Sequence, residues 1–167
     1  VIKLGKKFDY IKFINDEEFK VGAATNCIKL ARFLAKNYST GLEFFSGIPG
    51  SIGGAIKMNS GAYGYETSRF LTKIKILDSK DGKIKEVLSK DYKMNYRETN
   101  FPDEYIFLEA TFKYKKNSSI SENLRKINEL VSQRQLTQPI KEKTSGSTFK
   151  NPIHIKAWKL IQESGCK

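Results

Sequence analysis

Gly47-Ile48-Pro49-Gly50-Ser51-Ile52-Gly53-Gly54-Ala55, running on through Met58-Asn59-Ser60-Gly61-Ala62-Tyr63-Gly64, is the stretch from which the fold is read. Glycines at this spacing let the backbone take positive φ and approach a ligand without interference from a Cβ. Successive free amides in such a loop form a concave anion site suited to a diphosphate. Pro49 fixes one φ and so limits the entropy lost on ordering. The same glycines also suit a tight corner between packed strands, and the residues alone leave both readings open. A Walker-type loop is excluded because no Gly-Lys-Ser/Thr follows, and a dinucleotide fingerprint because Gly-x-Gly does not occur here.

Outward from this stretch, Val1–Leu4, Phe8–Ile14 and Glu18–Val21 read as short strands, with Asn15-Asp16 supplying a turn. The spacing predicts a helix over 24–36, with Ile28, Ala31, Leu34 and Ala35 on one face and Thr25 or Asn26 as the cap. Two alternating runs from Leu71 to Leu88 flank Asp81-Gly82, a hairpin signal. Tyr105–Tyr114 alternates again, placing Ile106, Leu108, Ala110, Phe112 and Tyr114 on one side. After a linker at 115–118, Ser119 and Glu122 form a capping box. It opens a helix with Leu124, Ile127, Leu130 and Val131 inward. A last helix is expected over 155–164, stopped by Gly165. No internal repeat is present. The pattern is that of an α+β protein with a boundary near residue 117.

Composition sets the limits. With 39% hydrophobic and 12% aromatic residues in 167, the chain can bury a good-sized core and is not disordered. No apolar run reaches the roughly 18–20 residues of a membrane span, and no leader opens the chain. Cys27 and Cys166 are too far apart in sequence for a disulfide framework and read as free thiols. His154 is the single histidine, with no Cys/Asp cluster around it, so no metal site is expected. The net charge is +12, yet 25 of the 30 basic residues are lysine, spread along every segment. Nucleic-acid readers cluster their charge and favour arginine; no nucleic acid is expected here. A diffuse positive field favours an anionic substrate instead.

Three further segments carry chemistry. Asn95-Tyr96-Arg97-Glu98-Thr99-Asn100-Phe101 holds an arginine whose planar fork suits a carboxylate, although most arginines near strand ends are surface cations. Ser145-Gly146-Ser147-Thr148-Phe149-Lys150-Asn151-Pro152 reads from composition as a Ser/Thr-rich loop ahead of a helix. Arg134-Gln135-Leu136-Thr137-Gln138-Pro139 lies between them.

Together these strings resemble the flavin-binding UDP-N-acetylenolpyruvoylglucosamine reductases, whose sequences carry G-I-P-G-x-x-G-G-A, N-x-G-A-Y-G, Y-R-x-S/T-x-F, R-x-x-x-Q-P and G-S-x-F-K-N-P in this order. The resemblance implies a PCMH-type (VAO-like) FAD-binding domain over 1–116, lacking its N-terminal part. Residues 117–167 would then begin the C-terminal substrate-binding domain. It implies FAD contacts at Gly47, Ile48, Pro49, Gly50, Ser51, Gly53, Gly54, Asn59, Gly61 and Ala62, and substrate contacts at Tyr63 and Asn151. NADPH would reduce FAD, and UDP-N-acetylglucosamine enolpyruvate would then take hydride at its methylene carbon. Arg97 would stabilise the charge developing on the carboxylate. Ser147, whose hydroxyl is always protonated at neutral pH, would protonate the adjacent carbon to give UDP-N-acetylmuramate. A monomeric, cytoplasmic enzyme of peptidoglycan precursor synthesis is implied, acting away from membranes.

Two features of the resembling enzymes have no match between Val1 and Lys167: a Gly-x-Gly-Ser-Asn flavin loop and a C-terminal acidic residue. Both ends read as cut. The segment by itself is therefore expected to bind FAD weakly and to turn over little. The short connection from Tyr114 to Arg134 is like that of members without an inserted tyrosine-bearing loop. The competing expectations are another flavoprotein of the same fold, a basic binding module, and an inactive fragment.

Overall fold

Aliphatic and aromatic residues dominate two segments, 71–78 and 105–113, which form the middle of an antiparallel sheet. In this computed structural model, residues 2–37, 39–116, 119–138 and 149–166 are described. In chain order the strands are β1 (Ile11–Phe13), β2 (Glu18–Gly22), β3 (Ser39–Thr40), β4 (Gly61–Ala62), β5 (Tyr65–Glu66), β6 (Leu71–Asp78), β7 (Ile84–Leu88), β8 (Met94–Asn95), β9 (Glu98–Thr99), β10 (Tyr105–Lys113) and β11 (Lys115–Lys116). The helices are α1 (Cys27–Lys36), α2 (Ile52–Lys57), α3 (Ile120–Thr137) and α4 (Ala157–Glu163). The sheet has the order β1-β2-β10-β6-β7, and β3/β11, β4/β5 and β8/β9 form separate two-stranded pairs.

The β6–β7 hairpin turns at Asp81-Gly82 as expected, pairing Lys73 with Leu88 and Leu77 with Ile84. Strand β10 is the centre of the sheet, joined to β2 through Ala110↔Val21 and Phe112↔Phe19. One face of the sheet presents Phe19, Val21, Ile74, Ile76, Ala110 and Phe112 to the core, all with essentially no exposure. The rings of Phe19 and Phe112 stack at 5.8 Å, and Phe45 meets Phe112 edge-on at 5.9 Å. Burying each such ring stabilises the fold by about 1.5–3 kcal/mol.

Asn26 caps α1, its Oδ1 accepting the Lys29 N–H at 3.1 Å. The helix buries Cys27, Leu30, Ala31, Leu34 and Ala35; Ile28, expected on that face, is only half buried. Ser119 Oγ caps α3 by accepting the Glu122 N–H at 3.2 Å. In α3, Ile127 is buried outright and Leu124 and Val131 pack against the core.

Three expectations need correcting. Ile2–Leu4 forms no strand, and the strand expected over 8–14 is only Ile11–Phe13. A 3-10 turn spans Lys6–Phe8 and takes the Phe8 N–H for Gly5 O, so Phe8 O and Tyr10 O accept the Ala24 and Gly22 N–H groups in the β1–β2 register without a full strand forming there. The alternation read along 105–114 is broken by register shifts between Phe107 and Glu109 and between Thr111 and Phe112. Strand β10 is buried on both faces from Phe107 to Phe112, as a central strand is.

Two compact units result, one over Val1–Thr137 and one over Gln138–Lys167. Helix α3 thus packs with the first unit although it follows the boundary expected near residue 117. Among the described residues no helix is long and apolar enough to cross a membrane.

Candidate functional site

The glycine-rich segment follows a 3-10 turn at Glu43–Gly47 and leads into α2. Ser51 caps that helix, its Oγ accepting the Gly54 N–H at 3.3 Å. The loop is stitched to the segment before α1: Cys27 N–H donates to Gly50 O, Ile52 N–H to Thr25 O and Gly53 N–H to Ala23 O, each at 2.9 Å. Ile52, Gly53 and Gly54 have thus committed their amides within the protein. A diphosphate here would have to be met by other donors. Ser46 Oγ, just ahead of Gly47, is buried without a hydrogen-bond partner. A ligand or water at this end of the segment would satisfy it.

An open groove of about 530 Å³ runs along the segment, its lining including Lys3, Ala23, Ser51, Gly53, Gly54 and Phe107. Among the described residues no carboxylate lines it. A Cβ at Gly54 would meet only Ser51 Oγ, at 3.7 Å, so a side chain there would occupy the groove itself. Small residues, one apolar ring and a cation fit a flat cofactor with an anionic tail, and the volume lies in the usual range for ligand sites.

After α2, Asn59 takes φ 38° and is fully buried. Its Nδ2 is within hydrogen-bond reach of Glu66 Oε2 at 3.0 Å, Asn95 O at 3.1 Å and Met94 O at 3.3 Å. Its Oδ1 accepts the Ser68 N–H at 2.9 Å. Every polar atom of the side chain therefore faces protein. Gly61 and Ala62 form β4, which turns at Tyr63-Gly64 into β5 with φ of 55° and 80°.

Tyr63 lies against Gly47, where a Cβ would come within 2.7 Å of its ring. Its hydroxyl donates to Leu130 O of α3 at 2.6 Å. Burial pushes the phenol above its usual pKa, and Arg134 offsets part of that rise. Tyr63 thus anchors α3 to the glycine-rich segment.

Arg97 occupies the turn between β8 and β9 with φ 55°. Its Nη2 donates to Gly61 O at 2.9 Å, and the guanidinium stands 5.0 Å from the centre of the Tyr96 ring. Thr99 Oγ1 donates to the Lys57 carbonyl at the end of α2, at 2.8 Å. Two strings separated by more than thirty residues of sequence are therefore held side by side: the glycine-rich segment and the arginine turn.

Ser147, with residues 139–148, lies outside the described residues. In the second unit, Asn151 Oδ1 accepts the N–H of Ala157, the first residue of α4, at 3.0 Å. Lys150 and His154 are exposed. Cys27 is buried under the loop, and burial pushes its thiol up to about 12. Among the described residues no group of three His, Cys, Asp or Glu side chains is placed to hold a metal ion.

Residues 1–88 match the FAD binding domain family. The whole chain is 43% identical over 167 residues to UDP-N-acetylenolpyruvoylglucosamine reductase of Rickettsia akari (strain Hartford), covering 56% of that protein. It is 40% identical over 166 residues, 99% of the chain, to the enzyme of the same name from Wolbachia pipientis subsp. Culex pipiens (strain wPip), again covering 56%. The crystal structure of UDP-N-acetylenolpyruvylglucosamine reductase from Thermus caldophilus matches with a TM-score of 0.79 and 33% identity. That match covers 89% of this chain and 54% of that one. The chain spans about half the length of the curated relatives it matches. The α+β fold and the flavin domain expected from the motifs are borne out. With 88 of its 167 residues matched, the chain belongs to the FAD binding domain family.

Proposed function

We propose that this chain is the flavin-holding part of a UDP-N-acetylenolpyruvoylglucosamine reductase. The reaction would be the NADPH-driven reduction of UDP-N-acetylglucosamine enolpyruvate to UDP-N-acetylmuramate, a cytoplasmic step of peptidoglycan precursor synthesis. The observation that carries the reading is Arg97, fixed by its bond to Gly61 O, in a chain similar over nearly its whole length to reductases of that name.

The groove beside Ser51, Gly53 and Gly54 would hold FAD, which when bound supplies the hydride. Arg97 spends one N–H on Gly61 O and has others to offer a substrate carboxylate, against which its planar fork sets both distance and orientation. As the enolpyruvyl methylene carbon is reduced, negative charge builds toward that carboxylate. A guanidinium already locked in place lowers the barrier without reorganising. Ser147 is the group assigned to deliver the proton to the adjacent carbon. Tyr63 and Asn151 contribute by position: Tyr63 ties α3 to the glycine-rich segment, and Asn151 fixes the start of α4. The domain division at 1–116 and 117–167, action as a monomer, and independence of nucleic acid and membrane belong to the same proposal.

The test is NADPH oxidation dependent on the enolpyruvyl substrate, in a form extended to the full length of the relatives. Arg97→Ala is expected to lower kcat by about 10²–10³-fold while the bound-flavin spectrum persists. Flavin binding with no substrate-dependent oxidation in the unsubstituted protein would refute the reductase reading and leave only the flavin domain.

A further inference from the structure

Asn59 was expected to touch the flavin, and its surroundings point elsewhere. It has no exposure, and its one acceptor and two N–H groups are engaged by Ser68 N–H, Glu66 Oε2 and the carbonyls of Met94 and Asn95. The last two carbonyls belong to β8, and Asn95 is two residues before Arg97. We propose that Asn59 is a positioning residue for Arg97, acting through the β8–β9 turn and not through contact with the cofactor; this deepens the proposed reductase function and rests on it.

The turn needs such a brace. Arg97 sits at φ 55°, a left-handed conformation that a residue with a Cβ keeps only when its surroundings impose it. Three attachments impose it. The guanidinium grips Gly61 O, Thr99 Oγ1 grips Lys57 O, and the Asn59 amide reaches Met94 O and Asn95 O on the strand entering the turn. Asn59 follows α2 closely and Gly61 opens β4, so the segment that lines the groove also sets where Arg97 stands. The group must be an amide. A carboxylate at 59 would still accept from Ser68 N–H, but it would face the Glu66 carboxylate and two carbonyls with no proton to give.

Asn59→Asp, which preserves shape, and Asn59→Ala are compared with the unsubstituted protein in the full-length form. Hydrogen exchange of amides at 94–99 is expected to quicken by about 5–30-fold in either variant, the consequence of losing bonds worth one or two kcal/mol. Exchange in β10 is expected to stay as it was. The flavin spectrum and its stoichiometry should be retained while kcat/KM falls about 10²-fold, as displacement of a reacting group does. In an Arg97→Ala background Asn59→Asp should cost little more. Unchanged exchange at 94–99, or loss of flavin with that exchange unaltered, overturns the proposal. If the unsubstituted protein does not reduce the enolpyruvyl substrate, the proposed reaction falls, while exchange at 94–99 still decides whether Asn59 braces the turn.

Discussion

Glu109 lies in the central strand with 8% exposure, and its carboxylate is met from three sides. Tyr10 donates its hydroxyl to Oε2, and the Lys20 and Lys75 ammonium groups lie 3.2 and 3.5 Å from Oε1. Burial alone would raise its pKa; the hydroxyl and the two lysines outweigh that and hold it below the usual carboxylate value. A depressed folded pKa means stability that is complete above the unfolded pKa and is lost as pH falls through the folded one. Glu109→Gln is therefore expected to lower stability at pH 7 by about 1.5–3 kcal/mol, the range for hydrogen bonds to a charged group. The gap to the parent should close as pH drops below that lowered pKa. Urea midpoints at pH 7 and in acid check both parts. Thiol reactivity separates the two cysteines: Cys27, buried with its pKa pushed up to about 12, should resist a disulfide reagent at pH 8, while exposed Cys166 reacts. One equivalent is expected in the native chain and two after denaturation. At this scale the sequence singled out the candidate residues, Arg97 above all, because a short local string marks them. It gave no sign of the bonds that bury Asn59, since partners 7, 35 and 36 residues away leave no local signal.

Elements were legible where their period matched their burial. Helix α1 shows this: a 3.6-residue stripe, an asparagine cap and a buried face all agree. Asn26→Ala is expected to cost about 1 kcal/mol, read as a lower denaturation midpoint with an unchanged slope. Strand β10 was legible as a strand but not as to its sides. Two register shifts move its side chains across the sheet, and material on both faces erases the polar alternation that would have revealed them. Phe112 is its most committed side chain, unexposed and in ring contact with Phe19 and Phe45. Phe112→Ala is expected to destabilise by about 3–5 kcal/mol, enough to unfold a marginal domain, and calorimetry would register it. The first strand was misread because the stretch 1–4 is apolar enough to pair, while the bonds to β2 come from Phe8 O and Tyr10 O, at and after the 3-10 turn.

Over the molecule as a whole, charge and fold together determine what it can hold. A net charge of +12 would suit nucleic acid if the lysines stood together. Many instead pair with carboxylates on separate elements: Lys29 with Asp9, Lys57 with Asp103, Lys80 with Glu104, Lys85 with Asp78, Lys116 with Asp16. A field spread this way draws anions in without fixing a polyanion in one register. FAD is the anion for which the chain also offers a shape, in the groove along Ser51, Gly53 and Gly54. A ligand that binds only the folded state stabilises it by RT ln(1 + [L]/Kd), about 2.7 kcal/mol at a hundred times Kd. FAD is accordingly expected to raise the melting temperature progressively with concentration and, in the form extended to the full length of the relatives, to leave flavin absorbance on the protein after gel filtration. Gly54→Leu, which fills the groove, should abolish both effects while the ligand-free melting temperature barely moves. An oligonucleotide at 150 mM salt should produce neither retention nor a melting shift. If the oligonucleotide stabilised the chain, with an affinity falling steeply as salt rose, and FAD did not, the dispersed lysines would be the functional surface and the groove an accident of the glycine corner.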